Sequence, residues 1–210
     1  MSDKKIIVFA VVLSIALGAG GWYYAKNRPS NPGPAAIAET PQDNSEKTPP
    51  LVYGNENAPV IIEEYTNFLC PACGQFAVET MPKIEENFIK TGKAKMVFYI
   101  YPPLELGRVA FCSDKQGKFV EYHNYLFAHQ SEITKEEDLF DFAEVVGLDK
   151  AQLIECFNTD AANQASKDWY ENGQGRQVDA TPTFFINGEK LIGAQAYEEF
   201  ERVINSKLSE

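Results

Sequence analysis

The chain has 210 residues and a net charge of -11, with 19 Lys and Arg against 30 Asp and Glu. That length suits one domain plus extensions, and 14 Phe and 10 Tyr give it a core to bury. The acid excess excludes a nucleic-acid binder, which needs a basic face. Four cysteines form an even set, which in an exported chain points to two pairs and in a cytosolic one to redox or metal chemistry.

The N-terminus therefore decides how the cysteines read. Residues 1–5 end in Lys4 and Lys5, and an apolar run follows from Ile6 to Ala25. About 20 apolar residues suffice to span a bilayer. Trp22, Tyr23 and Tyr24 stand at the far end, where an aromatic belt belongs. Residues 6–25 read as a transmembrane signal anchor with residues 1–5 cytoplasmic; the competing reading is a cleaved signal peptide with Ile6 to Leu17 as its core. Positive charges flank both ends, so they do not orient the segment. Both readings export the bulk of the chain, and the anchor makes it a single-pass protein of the cytoplasmic membrane with an extracytoplasmic (periplasmic or outer-face) domain. Residues 26–54, rich in Pro, Asn, Ser and Ala, read as a flexible tether, and residues 55–210 as the folded domain.

Val60 to Tyr65 opens on a continuous apolar run, the pattern of a strand buried on both faces. A short turn leads to Cys70-Pro71-Ala72-Cys73, and a helical pattern of Ala77, Met81, Ile84 and Phe88 starts at once behind it. A cysteine at the first turn of a helix meets unpaired backbone N–H groups and the positive end of the helix dipole. Both favour the thiolate, the form that attacks disulfides. Cys73, one turn on, can reach back to Cys70, and Pro71 suits the first helical position because it has no N–H to leave unsatisfied. Pro82 should kink the helix and Gly92 should stop it. Lys95 to Tyr101 is the next strand, and this strand–helix–strand unit makes the two strands parallel.

Residues 104–173 carry helical signals. Phe119, Leu126 and Phe127 form one stripe. Thr134 with Glu137 makes a capping box for a second, and Asp149 with Gln152 for a third. Asp160 caps a fourth that reaches Trp169 and Tyr170. Thr183 to Ile186 and Glu189 to Ile192, joined by Asn187-Gly188, read as a β-hairpin with a type I′ turn. A final helix carries Tyr197, Phe200, Val203 and Ile204.

Three blocks carry a family resemblance: Glu64 to Cys73, Gln116 to His123, and Thr181-Pro182-Thr183-Phe184-Phe185-Ile186-Asn187-Gly188. From Val60 to the C-terminus the chain resembles the DsbA family of thioredoxin-fold thiol-disulfide oxidoreductases, in its BdbD-like form. The resemblance implies an α/β thioredoxin-like fold: a central mixed sheet with an inserted helical subdomain. It implies a cis Pro182 opposite Cys70 and Cys73, with the Thr181 backbone free to pair with an extended substrate. Thr181, Pro182, Pro71 and Ala72 would then touch substrate. Glu64, six residues before Cys70, falls where the superfamily carries a buried acid, which could move protons to and from Cys73. Its alternative is a solvated strand residue, as Glu63 would be by alternation. Ala72 stands where strongly oxidising members have His, and Thr181 where typical DsbA proteins have an apolar residue. Both departures place the potential between about -120 and -270 mV.

Cys112 and Cys156 read as a structural disulfide across the helical insert, with a second redox pair or two buried thiols as alternatives. They form no zinc knuckle with the first pair, so no metal and no cofactor beyond the Cys70–Cys73 disulfide are expected. His123 and His129 read as packing or surface residues. The acids Glu136, Glu137, Asp138 and Asp141 read as a solvated helix face. The function expected is disulfide formation in reduced or unfolded exported proteins, with reoxidation by a membrane quinone-linked thiol oxidase of DsbB or VKOR type and no nucleic-acid partner. The alternatives are a reductase or isomerase kept reduced from across the membrane, and a tethered chaperone without turnover.

Overall fold

The computed structural model describes residues 47–210. Residues 6–25, read above as a signal anchor, lie outside the described residues, as does most of the tether. Among the described residues no helix is long and apolar enough to cross a membrane.

Five strands form one mixed sheet: β1 (Leu51–Gly54), β2 (Val60–Thr66), β3 (Ala94–Ile100), β4 (Thr183–Ile186) and β5 (Glu189–Ile192), in the order β1-β3-β2-β4-β5. β2 and β3 pair in parallel from Val60 opposite Ala94, as the strand–helix–strand pattern requires, and the other pairs are antiparallel. β1 lies inside the stretch read as tether. Its four residues show no alternation that a sequence reading could use, and they order by pairing with Met96, Val97 and Phe98. The chain is already tied down before it, since the Thr48 N–H donates to Asp168 Oδ2 at 2.8 Å and Trp169 Nε1 to the Pro49 carbonyl at 3.1 Å.

A helical run follows β2. It opens as α1 (Pro71–Gln75), widens through a π-helical turn at Phe76–Thr80, tightens as α2 (Met81–Ile84) and widens again at Glu85–Ile89. The expected disturbance at Pro82 takes this form. Proline has no N–H and its ring crowds the carbonyl four residues back, and the turn just before it accommodates this with a Met81 N–H bond to the carbonyl of Phe76. Gly92, at φ +73°, ends the run.

The insert comprises α3 (Leu104–Lys115), α4 (Phe119–Ala128), a 3-10 turn (Gln130–Glu132), α5 (Glu136–Val145), α6 (Lys150–Phe157) and α7 (Asp160–Gly175), and α8 (Tyr197–Leu208) closes the chain. Two caps differ from expectation. The first box forms one residue later, because Asp138, not Glu137, reaches back: its Oδ2 accepts from the Thr134 N–H and hydroxyl and from the Lys135 N–H. Thr159 rather than Asp160 caps α7, its hydroxyl accepting from the Ala162 N–H at 3.2 Å. Asp149 caps α6 as expected, but its own N–H donates to Gln116 rather than Gln152. Asn187 and Gly188 both take positive φ, as a type I′ turn needs.

The apolar start of β2 is not buried on both faces as expected: Val60 and Ile62 are buried but Ile61 between them is exposed, and both faces are covered only from Glu64 to Thr66. On one face Phe76, Phe184 and Phe200 meet at centroid distances of 4.4 to 5.2 Å, and His123 packs on Phe98 at 4.9 Å. On the other, Tyr65 stacks on Tyr99 at 4.7 Å and donates to Asn172 Oδ1 of α7 at 2.5 Å.

Candidate active site

Cys70 is the residue from which α1 starts. Its extended backbone (φ -86°, ψ 119°) makes it the cap, Pro71 takes the first helical position, and its carbonyl accepts the Gly74 N–H at 3.1 Å. Extended caps aim their side chain back at the free N–H groups of the first turn. Here that side chain is sulfur. Cys70 is partly exposed, whereas Cys73, one turn along, has no exposed surface. Both are free thiols.

The environment splits the two sulfurs. Burial pushes the Cys70 thiol up, but the Thr181 side chain, Cys73 and the Ala72 N–H beside the sulfur outweigh it, so the net direction is down, although the protonated sulfur closes no cap hydrogen bond. Burial likewise dominates at Cys73. There Thr66 and the Asn67 N–H only partly oppose it, the Glu64 carboxyl adds to it, and the thiol is pushed up to about 12. This makes Cys70 the more acidic of the two sulfurs and keeps Cys73 a thiol at neutral pH. When protonated, Cys70 Sγ instead donates to the Thr181 carbonyl at 3.3 Å.

The Thr181–Pro182 peptide is cis, as the resemblance implies; Pro102–Pro103 is also cis, which was not expected. Thr181 therefore meets the Cys70 sulfur with both its carbonyl and its hydroxyl. Pro182 is buried behind it, its carbonyl accepting from Gly193 N–H at 2.8 Å. Pro71 is exposed and Ala72 half-buried, so both border the sulfur from the helix side. Ala72 contributes an N–H but no side-chain charge.

Pleat parity turns Glu64 inward. It has no exposed surface, neither carboxylate oxygen has a hydrogen-bond partner, and burial raises its pKa to about 8, with the Thr66 hydroxyl opposing slightly. The Thr66 hydroxyl lowers both Glu64 and Cys73, and is itself buried without a hydrogen-bond partner. Glu63 is not solvated as alternation suggested. It forms an ion pair with Arg176, the C-terminal cap of α7, whose guanidinium lies 3.8 Å from the Phe185 ring centre.

The second cysteine pair is a disulfide: Cys112 of α3 and Cys156 of α6, 44 residues apart, are bonded. Neither belongs to the Cys70 site. His123 is fully buried among Phe68, Phe98, Phe119 and Phe127, and its pKa falls to about 4 through burial. His129 stacks on Tyr125 and bonds Glu132 at the surface. Among the described residues no group of three or more His, Cys, Asp or Glu could hold a metal ion.

Three residues of the site carry no sequence signal. Asn67 holds the loop before Cys70 by accepting from Leu69 N–H at 2.7 Å and donating to the Pro102 carbonyl. Thr66 carries the buried hydroxyl that lowers both Glu64 and Cys73. Gln130, from the insert, donates to the carbonyls of Phe68 and Cys70 at 2.8 and 2.9 Å. Only the fold brings Gln130 to a loop 60 residues upstream.

The family described as Thioredoxin matches residues 46–206. A Na(+)/H(+) antiporter NhaA 1 of Mycobacterium sp. (strain KMS) is 30% identical over 156 residues, 68% of this chain; the chain spans only 24% of that protein's length. A probable disulfide bond formation protein D of Bacillus cereus is 24% identical over 217 residues, covering 96% of this chain and 94% of its own length. The oxidised BdbD structure of Bacillus subtilis superposes with a TM-score of 0.66 at 26% identity, over 78% of this chain and 98% of that one. With the cap cysteine, the buried partner sulfur and the cis Thr181–Pro182 peptide, these likenesses settle the family. The chain belongs to the thioredoxin family, and within it is similar to disulfide bond formation protein D and BdbD of Bacillus.

Proposed function

We propose that this protein forms disulfides in exported proteins outside the cytoplasmic membrane, held there by its N-terminal segment. One observation carries the reading: an accessible sulfur that is stabilised as a thiolate leaves easily, and it is paired with a buried sulfur that is not. A substrate thiolate attacks Cys70 Sγ of the oxidised enzyme, the Cys70–Cys73 bond breaks, and Cys73 departs with the electron pair. Cys73 holds its negative charge poorly in its buried seat, so it takes a proton, for which the buried Glu64 carboxyl, close enough to raise the Cys73 thiol, is the donor we propose. A second substrate thiolate then attacks the substrate sulfur of the mixed disulfide. Cys70 leaves as the favoured thiolate. The substrate has lost two electrons and the enzyme holds them as a dithiol. The backbone beside Pro182 offers an extended substrate a strand-like partner.

Turnover needs an oxidant, and a membrane quinone-linked thiol oxidase of the DsbB or VKOR kind fits a tethered dithiol. Purified oxidised protein should convert a reduced two-cysteine peptide to its disulfide stoichiometrically, and Cys70→Ser should abolish this; oxidation at the wild-type rate by that variant would refute the assignment. Ala72 supports a second reading, in which the protein works as a reductase or isomerase, since no imidazole stands beside Cys70 to favour its reduced state further. A Cys70–Cys73 pair trapped mostly reduced in cells would select that direction.

A further inference from the structure

Gln130 occupies a position that neither the helical insert nor the sheet requires. It opens the 3-10 turn after α4, and its side chain leaves the insert altogether. Its Nε2 carries two N–H groups, and each has one acceptor: the Phe68 carbonyl at 2.8 Å and the Cys70 carbonyl at 2.9 Å. The Cys70 carbonyl already accepts the first intrahelical bond from Gly74, so Gln130 fills its second lone pair. The amide lies where a side chain at residue 74 would begin. A Cβ built on Gly74 would stand 2.8 Å from Gln130 Oε1 and 3.4 Å from its Nε2. The glycine behind the redox pair thus leaves room for a clamp from another subdomain. Phe68 strengthens the seat, packing on Phe127 and His123 of α4 at 5.2 and 5.8 Å.

We infer that Gln130 is a positioning residue for the redox centre: its amide fixes the carbonyls on both sides of Leu69, and so sets the cap rotation that aims the Cys70 sulfur at the helix N–H groups. The inference rests on Cys70 being the sulfur that exchanges with substrate, as in the proposed function. Once the clamp is gone, the Phe68 carbonyl loses its partner and the Asn67–Leu69 turn can rotate, held only by Asn67. The sulfur then spends less time on the Ala72 and Cys73 donors, and the thiolate loses part of its stabilisation.

Two substitutions reach the clamp from opposite sides. Gln130→Ala removes it. Gly74→Ala pushes it away, while Ala, the better helix former by about 1 kcal/mol, offsets part of the stability lost with the two hydrogen bonds. The readouts are the pH midpoint of iodoacetamide alkylation of Cys70 in the reduced protein, and the equilibrium of the Cys70–Cys73 disulfide with reduced and oxidised glutathione. Each variant should raise the alkylation midpoint by about one pH unit, which is tenfold in thiolate. Each should shift the glutathione equilibrium toward the enzyme disulfide by up to the same factor. The double variant should move no further than either single one, because both remove the same contact. Unchanged midpoints and equilibria in Gly74→Ala would overturn the inference, whatever Gln130→Ala does to stability, and so would additive shifts in the double variant. Failure of the wild-type protein to exchange with glutathione at all would instead count against the proposed function.

Discussion

The molecule holds two cysteine pairs built from the same atoms and given opposite work. Cys70 and Cys73 are one helical turn apart, start a helix, and divide their surroundings unequally: donors at the exposed sulfur, apolar burial at the other. Cys112 and Cys156 are 44 residues apart, join α3 to α6, and gain no helix N-terminus. The contrast shows that pairing alone does not make cysteines reactive. Reactivity comes from asymmetry, because exchange needs one sulfur that both attacks and leaves well. The distant pair does something the close pair cannot. It shortens the unfolded chain's freedom over a long loop, which is where a structural disulfide acts in the chain-entropy account.

The sharpest way to break this comparison is to remove each pair in turn. Cys70→Ser should lower dithiol-peptide oxidation by more than about 1,000-fold, as loss of an essential nucleophile does, with little change in urea stability of the reduced form. The Cys112→Ala/Cys156→Ala variant should keep its peptide-oxidation rate within about twofold and lose up to about 4 kcal/mol of unfolding free energy, the value for a loop of this length. If the second variant lost activity and kept stability, the roles would be reversed.

Glu64 sharpens the asymmetry through pH. Its carboxyl stays protonated in the fold up to about pH 8, against 4.5 for an ordinary Glu. The unfolded chain therefore releases that proton first, and stability falls as pH rises between those two values. Glu64→Gln should remove this slope. It should stabilise the reduced protein by roughly 4 kcal/mol near pH 8 and by almost nothing near pH 4, read from urea unfolding at both. The same variant should slow peptide oxidation if the carboxyl serves Cys73. The smallest effect belongs to Thr181→Val, which deletes the hydroxyl donor to Cys70 and should raise its alkylation midpoint by less than about one pH unit, since the sulfur is partly solvated.

Much of this was legible in the chain. Cys70, Pro71 and Cys73 before a 3.6-residue pattern identify a helix start with sulfur at its cap, and alternation through Glu63 and Glu64 turns one acid inward. The hairpin at Asn187-Gly188 is readable because its turn chemistry is local. What escaped was non-local. β1 has too few residues for a pattern and exists only as a partner of β3. Asp138 and Thr159 displaced the expected caps because several acids and hydroxyls in each stretch could do the same work, and backbone geometry chose between them. Gln130 could not be found at all, since an amide that bonds two carbonyls 60 and 62 residues away leaves no periodicity. The cis Thr181–Pro182 peptide came from family likeness and not from any local rule.

The most direct measurement is the pH dependence of alkylation of the fully reduced protein, with the modified cysteine identified by mass spectrometry. The account predicts that Cys70 alone reacts, with a midpoint below the ordinary cysteine value, while Cys73 stays protected across the neutral range. Equal reaction of both sulfurs near the ordinary value, or modification of Cys73 first, would contradict it.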